Sequence, residues 1–319
     1  MQSIKNYVGI DISKATFDVA IPSGDKYKYY QFSNDVKGFK NLLSLLSAVN
    51  QVVMEASGPY YLRLAYFLYE HSIMVSVINP LVIRRFCQMR LSRTKTDRKD
   101  ASMIAEYGKM ENPSNWQPDQ DYVMELRQLQ ATRDLLDKHR TSLLRQQEAF
   151  NQLPISSSEA NKAIKQTIAS IEKQILNIEA KMQQLIKQYH GSMYKQLQTI
   201  PELGKKTTLL LIVLSGGFTK FDNAKQLSSY IGICPRIFES GTSIKGRSRI
   251  TKMGMSRIRA MLYLCAWSAK KCNQKCKEMY DRLIENGKSR RLALMAVANK
   301  LIKQAFAIAT KQTNYQLNY

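Results

Sequence analysis

Short aliphatic runs open the chain, and each is bounded by turn-forming residues. "YVGIDIS" (7–13), "TFDVAIP" (16–22) and "YKYYQFS" (27–33) are rich in β-branched and aromatic residues and predict three strands, the last two joined across Ser23-Gly24-Asp25. A helical periodicity then takes over in "GFKNLLSLLSAV" (38–49). "QVVMEA" (51–56) and "IMVSVIN" (73–79) predict two further strands, with a helix in "YYLRLAYFLYEH" (60–71) between them and another after Pro80. Three meandering strands followed by helix–strand–helix–strand–helix predict a mixed sheet with helices packed on it. An RNase H-like fold has this order of elements.

Beyond Trp116 and Pro118 the pattern changes. "MELRQLQATRDLLDKHRTSLLRQQEAF" (124–150) is helical and ends near Pro154, and "SSSE" (156–159) predicts a capping box that opens a second helix. In that helix Ile164, Ile168, Ile171, Ile175, Ile178, Met182 and Leu185 recur at alternating spacings of four and three, an a/d heptad seam. A seam specifies a partner helix without saying which chain supplies it, so an internal hairpin and an oligomerisation arm both fit. From Gly191 the chain reads as all-helical, in "IPELGKKTTLLLIVLS", "NAKQLSSYIGI", "SRIRAMLYLCAWSAKKC" and "RRLALMAVANKLIKQAFAIAT", with an irregular stretch at 234–254. The expected organisation is a mixed-sheet domain at 1–118, a coiled-coil arm at 119–190 and a helical domain at 191–319.

Charge sharpens this outline. The 319 residues carry 48 Lys and Arg against 25 Asp and Glu, a net charge of +23. Residues 191–319 alone hold 23 basic and 6 acidic side chains. A surplus of that size points to a polyanion, and nucleic acid is the usual one. The unbroken apolar runs, "LLLIVL" (209–214) among them, are too short to span a bilayer, and "MQSIKNYVGID" has no signal-peptide core, so a cytoplasmic protein without a membrane partner is expected. Five scattered cysteines fit reduced thiols. Cys272 and Cys276 stand one helical turn apart, yet no histidine is near them in sequence to complete a zinc site.

Within this basic chain, "RTKTDRKDAS" (93–102) sets Asp97 and Asp100 three residues apart on a helix start. Asp11 stands in the first strand and Glu55 ends the fourth. In an RNase H-like sheet those strands are neighbours and the closing helix crosses beside them, which would gather all four acids. Crowded carboxylates repel one another unless a hard divalent cation, Mg²⁺ or Mn²⁺, neutralises them, and such a centre suits phosphoryl transfer. Arg93, Lys95, Arg98 and Lys99 would hold phosphates beside it. A helix N-terminus that favours acids is the plainer account of Asp97 and Asp100. Lys245, Arg247, Arg249, Lys252, Arg257 and Arg259 form a run without an acid, and "IPELGKK" resembles a helix-hairpin-helix turn in which Lys205 and Lys206 would grip a phosphate.

"GIDISKATFDVAI", "MEASGPY", "VSVINP" and "KTDRKDA" resemble, in that order, the N-terminal motifs of the IS110 (DEDD) family of insertion-sequence transposases. "IPELGKKTT", "YIGICPRIFESG" and "ITKMG" continue the resemblance through most of the chain. It implies an RNase H-like (RuvC-like) catalytic domain whose metal-binding acids are Asp11, Glu55, Asp97 and Asp100. It also implies a helical transposase domain with Ser240 as nucleophile, forming a phosphoserine link to DNA. Read from the residues alone, Ser240-Gly241 is more simply a turn, and Ser243 and Ser248 share its loop. The implied partners are donor and target DNA, a structured noncoding guide RNA, and further copies of the chain in a dimer or tetramer. Two other readings fit the residues: a resolvase-like nuclease using metal-activated water, and a nucleic-acid-binding scaffold without catalysis.

Overall fold

The fold is given by a computed structural model that describes residues 6–47, 49–91, 96–236, 239–240, 244–245, 249–250 and 253–316. It divides into two compact units, 1–119 and 120–319.

The first unit is built from β1 (Asn6–Ile12), β2 (Thr16–Ser23), β3 (Lys26–Ser33), α1 (Val36–Leu43), β4 (Asn50–Glu55), α2 (Tyr61–Glu70), β5 (Met74–Ile78), α3 (Pro80–Met89) and α4 (Asp97–Glu111). The sheet order is β3-β2-β1-β4-β5. The first three strands pair antiparallel, whereas β4 runs parallel to both β1 and β5. This mixed sheet with its helices fits an RNase H-like α/β unit. Strand alternation sorts the side chains onto two faces. Val8, Ile10, Ile12, Phe17, Val19, Val52 and Met54 pack with Phe39, Leu42, Leu64 and Leu68 on one side. Tyr7, Val53 and Ile78 pack with Ile83 and Ile104 on the other. Helix starts follow their caps: Asp35 accepts from the Gly38 amide, Asn79 precedes Pro80 and accepts from Leu81, and Thr96 accepts from Lys99. α1 stops at Leu43, earlier than its periodicity predicts. The Asn50 side chain takes both the amide and the hydroxyl of Ser47, at 2.6 and 2.8 Å, and turns the chain into β4.

The second unit begins with α5 (Asp121–Asn151) and α6 (Ser158–Leu197). They lie antiparallel, as shown by Arg133 meeting Glu179, Arg140 near Glu172 and Lys181 near Glu125. Ser157, one residue past the expected cap, opens α6 by accepting from the Ala160 amide. Ile168, Ile175, Met182 and Leu185 are buried along the seam, while Ile164, Ile171 and Ile178 are half-covered. α6 breaks at His190, whose φ of −137° is not helical. The His190 Nε2 shares a 2.9 Å hydrogen bond with the Tyr122 hydroxyl, and Tyr122 stacks on Tyr189.

α7 (Lys205–Ser215), α8 (Ala224–Ile231), α9 (Ser256–Cys272), α10 (Gln274–Glu285) and α11 (Arg290–Lys311) complete the unit. Two expectations are corrected here. The unit is not all-helical: β6 (Pro235–Arg236) pairs with β9 (Arg249–Ile250), and β7 (Glu239–Ser240) with β8 (Ile244–Lys245). Pro235 and the dense Gly, Ser and Thr around these short pairs disfavour helix. The helix expected from Ile200 begins only at Lys205, because Glu202 takes a left-handed φ of 70° and Gly204 caps extended. α11 has the length and apolarity to cross a membrane, but Leu294, Val297, Leu301, Ile302 and Ile308 are buried in this unit's core, as are α7 and Cys276.

Candidate active site

β1 and β4 are parallel neighbours, registered up to Ile10 opposite Met54, so Asp11 and Glu55 follow side by side at their carboxyl ends. Asp11 and Glu55 lie on the α4 side of the sheet, because their strand neighbours Ile10, Ile12 and Met54 belong to the opposite core. α4 is seated against β1 at Gly9. A methyl group there would collide with the Ala101 carbonyl oxygen and the Ala105 amide nitrogen, and would stand 2.9 Å from the Ala105 Cβ. One methyl at Gly108 would meet Val53 Cγ2 at 2.7 Å and Tyr7 Cδ1 at 2.8 Å. Small residues at 101, 105 and 108 thus let the helix backbone lie on the strand, and its first turn carries Asp97 and Asp100.

The electrostatics report the convergence. The Asp11 carboxyl is pushed up to about 6, first by burial and then by the nearby charges of Asp100, Glu55, Asp97 and Asp18. Cys87 on α3 is raised by burial and then by Asp100 and Glu55, which sets its thiol beside the same group. Asp18 is the acid that sequence reasoning missed. It lies directly across from Asp11 in the β1–β2 register, is buried, and accepts from Gln31 Nε2 at 3.3 and 3.2 Å. Its only sequence signal is a carboxylate inside an apolar strand. Glu55 accepts a 2.8 Å hydrogen bond from the Ser57 hydroxyl.

The four predicted ligands are all carboxylates, an oxygen donor set that fits a hard divalent cation better than a soft one. Among the described residues no three His, Cys, Asp or Glu side chains are already arranged to hold an ion. Convergence here is of charge, at the range over which Asp100, Glu55, Asp97 and Asp18 disfavour ionisation of Asp11.

The predicted phosphate contacts fare unevenly. Arg98 and Lys99 are exposed on the first turn of α4, next to the acids. Lys205 is exposed at the start of α7, whose Gly204 cap supplies no side chain to its amides. Lys206 is ion-paired to Glu179 at 2.9 Å, and Arg257 to Asp134. Arg259 donates to the Ile231 and Met253 carbonyls, both at 3.0 Å, and so ties α9 to the end of α8. Ser240 sits in β7 with Ile244 as its β8 partner, and Lys245 and Arg249 lie in β8 and β9. Arg93, Lys95, Arg247 and Lys252 lie outside the described residues.

A mixed sheet with acids on adjacent strands and an acid-bearing helix fits an RNase H-like α/β unit, and comparison with known proteins gives the family. Residues 8–152 match a family described as transposase, and residues 194–281 match the transposase IS116/IS110/IS902 family. The chain is 31% identical over 315 residues to the pilin gene-inverting protein of Moraxella lacunata, covering 95% of each. The pilin gene-inverting protein of Moraxella bovis is equally similar, at 31% over 315 residues. The transposase for insertion sequence element IS1111A of Coxiella burnetii is 25% identical over 349 residues, covering 99% of this chain and 92% of that one. The chain belongs to the IS110 family of transposases, enzymes of DNA recombination.

Proposed function

We propose that this chain cuts DNA at a donor and a target site and rejoins the exchanged strands through a covalent link to Ser240, guided by a structured noncoding RNA. The observation that carries the catalytic half is the seating of α4 on Gly9, which brings Asp97 and Asp100 toward the ends of β1 and β4 where Asp11 and Glu55 stand. Asp11, Glu55, Asp97 and Asp100 would hold Mg²⁺ or Mn²⁺. When bound, that ion would neutralise the carboxylates and polarise a phosphate oxygen.

Arg98 and Lys99 would orient the DNA backbone beside the acids. The Ser240 hydroxyl attacks phosphorus, one phosphodiester P–O bond breaks, and the proton lost by the serine ends on the departing deoxyribose oxygen. The phosphoserine retains the ester, so a hydroxyl from the exchanged strand reverses the attack and regenerates the serine. No nucleoside triphosphate is consumed, consistent with a chain that has no G-x-x-x-x-G-K-[ST] loop. Ser240 and the acids belong to different units, and further copies of the chain, associated through the α5–α6 arm, would complete the working complex.

The test is to stall the reaction on a donor–target substrate, denature, digest with protease and search for DNA-linked peptide by mass spectrometry. The expected adduct maps to Ser240, disappears in Ser240→Ala and persists in Ser243→Ala. Cleaved ends without any adduct, still formed by Ser240→Ala, would establish a water-using nuclease instead. Sequencing the RNA that co-purifies with the protein tests the guide.

A further inference from the structure

The face of the second unit formed by α9, α10 and α11 carries an unusual surface. Leu264 and Trp267, one turn apart on α9, are 68% and 52% exposed. Each lines an open depression. One, of about 680 Å³, is lined by Tyr263, Leu264, Arg291 and Met295 among others. The second, of about 620 Å³, is lined by Trp267, Lys270, Tyr280, Ile284 and Arg290 together with the acids Asp281 and Glu285. The Lys270 ammonium is held over the Trp267 and Tyr280 rings, 4.4 and 4.7 Å from their centroids.

Isolated exposed apolar residues are ordinary. Here three aromatic side chains share one face with Lys270, Arg290 and Arg291. Residues 264–291 contain eight Lys and Arg against three Asp and Glu. A second copy docking by this same face would bring like charges together, since a two-fold contact presents each patch to itself. A polyanion with flat apolar groups meets both halves of the pattern. Every base has a π-face that stacks on an exposed ring, and the phosphate between bases suits a cation one side chain away. Duplex DNA hides its base faces, so the surface selects unpaired nucleotides.

We propose that the Trp267 surface is a stacking platform for unpaired nucleobases, with Lys270, Arg290 and Arg291 taking the adjoining phosphates. It rests on the nucleic-acid reading above and adds to it a site for single strands. In a recombination reaction, strands separated during exchange, or the loops of a folded RNA, supply that ligand.

The 319-residue chain has two tryptophans, Trp116 and Trp267. A Trp116→Phe background therefore leaves Trp267 as the single indole reporter. Titration with oligothymidylate and with oligouridylate should quench its fluorescence. Trp267→Ala should weaken binding of both by about 5- to 150-fold, the range for loss of one stacked base, while duplex affinity is unchanged. Trp267→Phe should restore most of the loss, and Lys270→Gln should flatten the salt slope for single strands by about 0.7. Circular dichroism of each variant guards against misfolding, which Trp267 is too exposed to cause. Unchanged single-strand affinity in Trp267→Ala overturns the platform while leaving the nucleic-acid reading intact. A changed subunit number with unchanged oligonucleotide binding overturns it in favour of a protein contact. If the parent chain binds neither single strands nor duplex, both readings fall.

Discussion

Gly9 is the residue on which the site's geometry turns, and replacing it with alanine is a sharp perturbation. The added methyl would stand 2.9 Å from Ala105 Cβ and closer still to the Ala101 carbonyl oxygen and the Ala105 amide nitrogen. Restoring an ordinary carbon–carbon contact of about 3.5–4.0 Å to Ala105 Cβ alone requires α4 to lift by about 0.6–1.1 Å. Two of the three clashing atoms are backbone, so no rotamer change relieves them. Overpacking costs about 1–3 kcal/mol where side chains can give, and here the cost falls at or above about 3 kcal/mol. For a unit of this size that lowers the melting temperature by about 10 °C. Lifting α4 by about 1 Å also draws Asp97 and Asp100 away from Asp11 and Glu55, and a displacement of that size costs about 100-fold in rate. Gly9→Ala should therefore lose DNA cleavage far beyond its loss of folded protein, when assayed well below its own melting temperature. Gly108→Ala meets only side chains and should be milder on both counts. Gly191→Ala has open space around it and should match the parent. Calorimetry and a cleavage assay on the three variants decide it. A Gly9→Ala protein that melts and cleaves like the parent would refute the seating of α4.

Three further outcomes follow from the same structure. In metal-free protein, Asp11 at about 6 against 3.8 for a free aspartate favours the protonated form in the folded state, so its contribution to stability is present below the unfolded value and is lost as pH rises through about 6. Asp11→Asn should thus melt higher than the parent well above pH 6 and match it well below. The two-unit shift caps the gain at about 3 kcal/mol, and solvent screening of this partly exposed group reduces it to about 1 kcal/mol; parallel melting curves at all pH values would remove the electrostatic case for convergence. Replacing Arg247 and Arg249 together should flatten the log K against log salt slope for duplex DNA by up to about two units, and an unchanged slope places both away from phosphate. Lys at the half-covered Ile171 and Ile178 should lower the subunit number seen by light scattering while helicity is kept; an unaltered number means that the α5–α6 pair serves only its own chain.

The sheet was legible because each strand is a short run of apolar, β-branched and aromatic residues closed by a turn, and the acids Asp11, Glu55, Asp97 and Asp100 stand out against apolar or basic neighbours. Asp18 was not legible, since a register partner across two strands cannot be read from spacing along one. α10 escaped because "QKCKEMYDRLIE" spends most of its surface on charge and buries little besides Cys276. Lys206, Arg257 and Arg259 read as free cations in sequence, and only the folded chain reveals the carboxylates and carbonyls that they meet. The β6–β9 and β7–β8 pairs are too short for any periodicity to declare them.

The break in α6 has a mechanical consequence. Residues 158–189 precede His190 in one continuous helix, which at 1.5 Å per residue is a rod of about 48 Å. A change of about 10° at its base would swing the far end by about 8 Å, on that same rise per residue. At the base, Tyr122 grips the imidazole from α5, and a methyl at Gly217 would strike the His190 ring. The few groups packed at one joint thus govern where the tip of a long lever points, and substitutions at Tyr122, His190 or Gly217 would be amplified at residues that never touch them.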